Sequence, residues 1–342
     1  MKQLPGIPVI DARGLTPAEV VRQRPEEMAS LMASARRRYS KIGLMFGDAV
    51  SRQWLTRNGN PYLPEITATA AAIGHPGATL LNVSYEWACT SGTRPAPGGG
   101  QMLVRVLDWD LDGLGRNICA IRQSGPAGDW INIGWPGFSG AITAVAEGRF
   151  AAAINQPPLQ ASRAGTALAT IAPRAATGAD WLASRPSTWR SRAMPPAHLL
   201  RRVMDVAADF EGAVAMLRDT PISTPALFTV AGVQDGQGCV IERARHAVSI
   251  RWADPTVAVA NHWVGVGMPG IARGHDSKAR QKQLEIALAN CAVAFEAASL
   301  AAPVVNATTR LVAMADPATG SVWAQGWERD GPATEPLQLP GG

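Results

Sequence analysis

Apolar positions follow helical spacing at the start of the chain and change to alternation and short runs after residue 82. Residues 16–73 predict helices. Thr16 can cap Pro17-Ala18-Glu19-Val20, and Glu26 to Tyr39 carries apolar side chains at helical spacing. Pro61, Pro64 and Pro76 cut this region into short pieces. Around Asn82 the texture changes. Met102–Trp109, Asn117–Gln123, Trp130–Trp135, Ala141–Ala146 and Phe150–Asn155 predict strands, with Gly and Pro between them.

Residues 160–192 are rich in Ala, Ser, Thr and Arg and predict loops and short helices. Ala197–Ala208 and Phe210–Arg218 predict amphipathic helices. A second strand series follows at Ala226–Val233, Gly238–Arg243, Ala247–Trp252 and Thr256–Asn261. A long helix is expected over Ser277–Leu300, within an alanine-rich stretch that runs to Val305. Thr309–Met314 and Ser321–Gly326 predict two last strands about the turn Asp316-Pro317-Ala318-Thr319-Gly320, and a polar tail starts at Arg329. Strands, helices, strands, helix, strands is an α+β order, not a βαβ alternation.

Composition narrows the function classes. The 342 residues are 46% hydrophobic and 17% charged, which supports a sizeable core. The net charge of +5 is dilute. Its densest run, Arg36-Arg37-Arg38, reads as a solvated helix face, so no nucleic acid is expected as a partner. No run of about 18 apolar residues lacks a charge, so no membrane span is expected. The first residues show no secretory h-region, and Cys89, Cys119, Cys239 and Cys291 form no C-x-x-C pair. A reduced, cytoplasmic setting without metal or cofactor is the expectation.

Candidate chemistry centres on Asn82-Val83-Ser84-Tyr85-Glu86-Trp87-Ala88-Cys89-Thr90-Ser91-Gly92. A thiolate is a strong nucleophile. Sixteen residues on, Arg105-Val106-Leu107-Asp108 lies on a predicted strand. A strand from Cys89, a turn through Pro95 to Gly100 and a returning strand would bring Arg105 or Asp108 beside Cys89. An adjacent Arg favours the thiolate, and an Asp can orient a free α-amine. Gly98-Gly99-Gly100 has no following Lys or helix start, so it reads as a flexible hairpin tip, not a phosphate loop. The five histidines fit no Cys-His-Asp order.

These residues resemble the choloylglycine hydrolase and acid ceramidase group of cysteine N-terminal-nucleophile hydrolases, which includes N-acylethanolamine acid amidases. Tyr85 to Ser91 is similar to the ceramidase-branch cleavage site, and Arg105-Val106-Leu107-Asp108 to the family's Arg-Asn-x-Asp strand, with Val106 where Asn is usual. Phe150 to Pro157 resembles the strand that ends in Asn155, with Gln156 where the ceramidase branch usually has Glu. Val230–Val233 with Gly238–Arg243 resembles the hairpin before a second active-site Asn, matched by Asn261 in Ala260-Asn261-His262-Trp263. Asp276-Ser277-Lys278-Ala279-Arg280 resembles a Ser-x-x-Arg motif, and Asn306-Ala307-Thr308-Thr309 a C-terminal Asn-x-x-Thr. The resemblance covers about residues 80–327.

It implies a four-layer αββα fold, two stacked antiparallel sheets between helical layers. It implies a propeptide over residues 1–88 and a catalytic domain over residues 89–342, freed by autoproteolysis before Cys89. Cys89 would attack the amide of a small N-acyl substrate. Arg105 would lower the thiol pKa, Asp108 would orient the Cys89 amine, Asn155 and Asn261 would hold the oxyanion, and Arg280 would support the site. An oxyanion donor of this kind is worth roughly 3–4 kcal/mol. The propeptide fragment is a partner on this reading, and a homo-oligomer is compatible with it. Two alternatives stay open: an acyltransferase on the same scaffold, and an uncleaved binding protein.

Overall fold

The computed structural model describes residues 3–83, 87–159, 161–168, 171–290 and 299–341, with side chains left out at 173–178, 181 and 290. Tyr85, Glu86 and Cys291 of the sequence reading therefore lie outside the described residues, as does 291–298 of the long predicted helix.

The N-terminal part is β1 (Val9–Asp11) followed by helices α1 (Pro17–Gln23), α2 (Pro25–Tyr39), α3 (Lys41–Arg57), α4 (Leu63–Ile73) and α5 (Ala78–Leu81). Thr16 caps α1 in a full capping box with Glu19, as its sequence predicts. Arg36, Arg37 and Arg38 are exposed on α2. Then come β2 (Ala88–Pro95), β3 (Gln101–Asp108), β4 (Cys119–Gly125), β5 (Gly128–Gly134), β6 (Thr143–Ala146) and β7 (Phe150–Asn155). Helices α6 (Arg163–Leu168), α7 (Pro173–Arg190), α8 (Pro196–Val206) and α9 (Phe210–Asp219) precede β8 (Ala226–Gly232), β9 (Gly238–Arg243), β10 (Val248–Trp252) and β11 (Val257–Val259). The chain ends with α10 (Ser277–Asn290), β12 (Thr309–Asp316), β13 (Ser321–Glu328), β14 (Gly331–Pro332) and β15 (Leu337–Leu339).

Two sheets stack face to face. The eight-stranded one runs β1-β4-β5-β6-β7-β8-β9-β10, and the seven-stranded one runs β11-β2-β3-β12-β13-β14 with β15 also on β13. Helices α8 and α9 cover the outside of the first, and α10 covers β2 and β11 of the second. The four-layer α+β architecture expected from the sequence is thus present. All pairings are antiparallel except β1 with β4, which is parallel. The main core lies between the sheets and under α8 and α9, and a smaller one packs Val104 and Val106 against Leu284 and Leu288 of α10. Val106, an apolar residue where Asn is usual, therefore sits in a dry layer.

Several expectations change. The supposed polar tail after Arg329 carries β14 and β15, because Leu337 and Leu339 alternate with Gln338 and pack on the main core while β15 pairs with β13. The stretch expected to form short helices contains α7, 18 residues long with Pro186 inside it. The alanine-rich stretch is not helical at residues 301–305, where Pro303 has no N–H to continue a helix. The glycine hairpin tip is not free: Gly100 N–H donates to Asp235 Oδ1 at 2.8 Å, and a side chain at Gly100 would meet the Val233 carbonyl. No helix among the described residues is long and apolar enough to cross a membrane.

The N-terminal helices are bound to the rest by specific polar contacts. Asn60 bonds His198, Arg201 pairs with Glu65, and Asn82 links Gly137 and Ser139.

Gly92 of β2 sets the separation between that strand and its cover. A Cβ there would lie 2.6 Å from the Val257 carbonyl and 2.7 Å from Leu288 Cδ1. Gly92→Ala should therefore lower stability by about 1–3 kcal/mol in urea denaturation, as overpacking does. Unchanged stability would mean that β11 and α10 can yield at no cost.

Candidate active site

Strand β2 begins at the sequence's candidate nucleophile and pairs with β3 in a hairpin, with Ala88 opposite Asp108, Cys89 opposite Leu107 and Ser91 opposite Arg105. Side chains alternate along a strand. Cys89, Ser91 and Arg105 thus face the other sheet, while Thr90 and Asp108 face α10. The hairpin forms as expected, but it sends Arg105 and Asp108 to opposite faces. Only Arg105 shares the Cys89 face.

Cys89 is fully buried. Its backbone N–H, the nitrogen of the Ala88–Cys89 peptide, donates to Asn261 Oδ1 at 2.8 Å. Its carbonyl accepts from Arg280 Nη1 at 2.7 Å. Burial pushes the thiol up to about 11, against the pull of Arg105, with Asp108 pushing up and Arg280 pulling down. The expectation that Arg105 lowers the thiol pKa holds only as a partial offset, because loss of water outweighs it.

Asn155, at the end of β7, comes from the facing sheet. Its Oδ1 accepts from Arg105 Nη1 at 2.6 Å and from Ser91 Oγ at 3.1 Å. Its Nδ2 donates to the Val259 and Ala260 carbonyls. Asn261 follows β11. Its Nδ2 donates to the Gln156 carbonyl at 2.6 Å, while its Oδ1 takes both the Cys89 N–H and Arg280 Nη2. In the intact chain both amide NH2 groups are thus occupied by backbone carbonyls. Gln156 is buried, and neither polar atom of its side chain has a hydrogen-bond partner.

Arg280 occupies the first turn of α10 and is wholly buried. Its remaining bonds go to Thr90 Oγ1, the His275 carbonyl and the Arg273 carbonyl. Asp108 lies 3.6 Å from it. Burial raises the Asp108 pKa, and Arg280, the Thr309 hydroxyl and the Asn306 amide all oppose that rise. Thr309 Oγ1 donates to Asp108 Oδ1 at 2.7 Å and Asn306 Nδ2 to Oδ2 at 3.2 Å. In this state Asp108 touches Asn306 and Thr309, while the contact to the Cys89 nitrogen comes from Asn261.

All six sequence-predicted residues therefore gather in one buried site, linked directly or through one neighbour. Sequence reasoning missed Ser91 and Thr229, whose hydroxyls lie 2.7 Å apart and brace Asn155. It also missed Ser277 Oγ, which accepts the Asn261 N–H at 2.8 Å and contacts His262 Nδ1 at 2.9 Å. The motif Ser277-x-x-Arg280 was the available signal for the latter.

No family model and no curated protein matches the chain's sequence. Solved structures match its fold. The fold is that of the N-terminal-nucleophile hydrolases, two stacked sheets between helices. The Caenorhabditis elegans ortholog of N-acylethanolamine-hydrolyzing acid amidase is similar to this chain at a TM-score of 0.53 and 16% identity, over 74% of this chain and 100% of that one. Two variants of conjugated bile acid hydrolase from Clostridium perfringens align at TM-scores of 0.43 and 0.42 with 8% and 9% identity, over 74% of this chain and 92% and 97% of theirs. Likeness at those two scores is too low to support any inference. The resemblance seen in the sequence is borne out at the level of the fold.

Removing the Arg105 charge takes away a force that lowers the thiol pKa. Arg105→Met should move the pH profile of Cys89 alkylation upward, so that labelling by iodoacetamide at a fixed pH is slower. Peptide mapping reads this directly. A profile unchanged from wild type would mean that Arg105 does not act on the thiol.

Proposed function

We propose that the chain is the precursor of an amide hydrolase that cuts itself before Cys89 and then opens small N-acyl amides with the freed N-terminal cysteine. One observation carries the reading. The nucleophile candidate begins a strand with its own peptide N–H held by Asn261 and its carbonyl held by Arg280.

Among the six candidate residues, two buried guanidiniums, Arg105 and Arg280, stand against one buried carboxylate, Asp108. Uncompensated buried charge is costly. A thiolate at Cys89, or the oxyanion that it generates, supplies the missing negative charge. In self-cleavage the Cys89 sulfur attacks the Ala88 carbonyl carbon. The C–N bond breaks as the C–S bond forms, and the thiol proton passes to the departing nitrogen. Water then opens the thioester, which releases residues 1–88 as an acid and returns the thiol.

The released α-amine, with an ordinary pKa of about 7.7–8.0, takes the thiol proton during turnover and delivers it to the substrate's leaving nitrogen. Asn261 Oδ1 keeps that amine in place. Asp108 supports it through Arg280. Asn155 and Asn261 are oxyanion donors only once their NH2 groups leave the carbonyls that they bind in the intact chain. Arg280 is a positioning residue at both stages.

The acyl group is apolar on this reading. Trp87, Trp109, Trp135 and Phe138 form a chain of ring contacts, with centroids 5.6, 5.7 and 5.0 Å apart. The chain leads from the residue before Ala88 to a cavity beneath Met28, Leu31 and Met32 of α2. At about 20 Å³ this cavity holds a water and no acyl chain. A substrate therefore requires the N-terminal helices to shift. The polar contacts of Asn60, Glu65 and Asn82 keep that fragment bound as a partner after the cut.

Intact mass spectrometry of wild type beside Cys89→Ala tests the proposal. The expected result is fragments 1–88 and 89–342 from wild type and an uncut variant. A wild type that stays whole at neutral and mildly acidic pH overturns self-activation and favours an uncleaved binding protein. If cutting occurs, product analysis with an added amine separates hydrolysis from acyl transfer.

A further inference from the structure

The segment between Asn261 and α10 crosses the outside of the site as an extended strap. Most of it is exposed, and its sequence is His262-Trp263-Val264-Gly265-Val266-Gly267-Met268-Pro269-Gly270-Ile271-Ala272-Arg273-Gly274-His275-Asp276. A strap of this length with no regular structure would ordinarily leave Asn261 loosely placed. Its ends are instead pinned. At the far end Arg280 binds the Arg273 and His275 carbonyls, Arg273 N–H reaches the Asn261 carbonyl, and Arg273 Nε reaches the Pro157 carbonyl. Gly274 sits against the Ala88 methyl group, where a side chain of its own would not fit.

At the near end Ser277 Oγ holds Asn261 N–H and His262 Nδ1, and one carboxylate holds the three residues from Val264 to Val266. Glu242, on β9 of the opposite sheet, is wholly buried. Its Oε2 accepts from three consecutive backbone N–H groups, Val264 at 3.0 Å, Gly265 at 3.0 Å and Val266 at 3.2 Å. Its Oε1 accepts from Arg251 Nε at 3.1 Å, and Arg251 Nη2 continues to the Ala258 carbonyl. Glu242 thus bridges one sheet to the strap that leaves the other, three residues beyond Asn261. A buried carboxylate is expensive, and this one is compensated by four donors: three backbone N–H groups of the strap and Arg251 Nε from β10, next to β9 in Glu242's own sheet.

We infer that Glu242 is a positioning residue: by clamping Val264–Val266 it fixes Asn261 against the Cys89 nitrogen, and so sets the rate at which the Ala88–Cys89 bond is cut. The inference rests on the Cys89 reading above. Glu242 touches no reacting atom, and its effect passes through the backbone to Asn261. A carboxamide at this place offers one acceptor oxygen and turns an NH2 either on Arg251 Nε or on the three backbone N–H groups, and it removes the charge that strengthens all four bonds, so Glu242→Gln loosens the clamp with almost no change in volume.

The test follows appearance of the 89–342 fragment by intact mass, with hydrogen exchange of the 262–276 strap measured on the same samples. E242Q is expected to cut about 10- to 100-fold more slowly, the range for a small misplacement of a reacting group. Exchange should speed up at residues 262–266 and stay unchanged in β2 and β9. E242D, which keeps the charge, should recover part of the rate. Cutting of E242Q at the wild-type rate, slow cutting without faster exchange in the strap, or E242D no faster than E242Q overturns the inference. If E242Q does not fold, wild type decides alone: slow exchange of the Val264, Gly265 and Val266 amides supports the clamp, and exchange as fast as at Gly267 removes it. A wild type that never cuts indicts the Cys89 reading, and the exchange arm still decides whether Glu242 holds the strap.

Discussion

The Arg280 guanidinium is the interaction on which the site's construction depends. It is fully buried and makes five hydrogen bonds, to the carbonyls of Cys89, Arg273 and His275, to Thr90 Oγ1 and to Asn261 Oδ1. Those partners come from β2, from Asn261 just beyond β11 and from the strap that follows it, so one side chain ties together two stretches that are far apart in the sequence. Burial lowers the pKa of the guanidinium, and Asp108 behind it opposes that. A Lys could not replace it, because a point charge with three donors cannot span three segments in fixed directions. Leu284, Ala287 and Leu288 of the helix that carries Arg280 supply its apolar contact with the sheet.

Around that anchor the two faces of β3 divide the work. Arg105 points between the sheets, toward the thiol and Asn155. Asp108 points toward α10, toward Arg280, Thr309 and Asn306. A period of two places a cation on the nucleophile's side and an anion on the other, so they do not neutralise each other directly. Burial keeps the thiol protonated at rest, near 11, and two nearby guanidiniums stand ready for the charge that appears when it ionises. This differs from a preformed thiolate, and it suits the proposed role, in which the thiol reacts only once an acyl carbon is in place.

Much of this was legible in the sequence. The hairpin, the strand that ends at Asn155 and the Ser277-x-x-Arg280 helix start all depend on short-range patterns, and they stand where those patterns put them. Contacts set by the stacking of two sheets were not legible. Nothing in the residues around Ser91 announces a partner in Thr229, and Glu242 reads as one polar residue on a strand until the other sheet brings Val264 to it. The roles given to Asp108 and Asn261 illustrate the same limit. Spacing alone put Asp108 near Cys89, but whether it lies beside the thiol or behind the strand depends on register and face. The strands after Arg329 were not legible because they are only 2 and 3 residues long, too short for the Leu337-Gln338-Leu339 alternation to stand out in a polar stretch.

Under the proposed reaction sequence, the placement of Asn261 lets one geometry serve both self-cleavage and turnover. Its Oδ1 accepts from the Cys89 N–H while that nitrogen is part of a peptide. The proposed cut would leave the same nitrogen as an amine, which still has an N–H to donate. The contact therefore needs no rebuilding between precursor and product, and Arg280 keeps the same oxygen polarised throughout. What must change is the acceptor side. Nδ2 of Asn261 is committed to the Gln156 carbonyl, and Nδ2 of Asn155 to the Val259 and Ala260 carbonyls. A developing oxyanion is a stronger acceptor than a peptide carbonyl, since its hydrogen bonds are charge-assisted. The two amides are thus held at rest by weaker partners of the same chemical kind, which orients them without using up their capacity to respond.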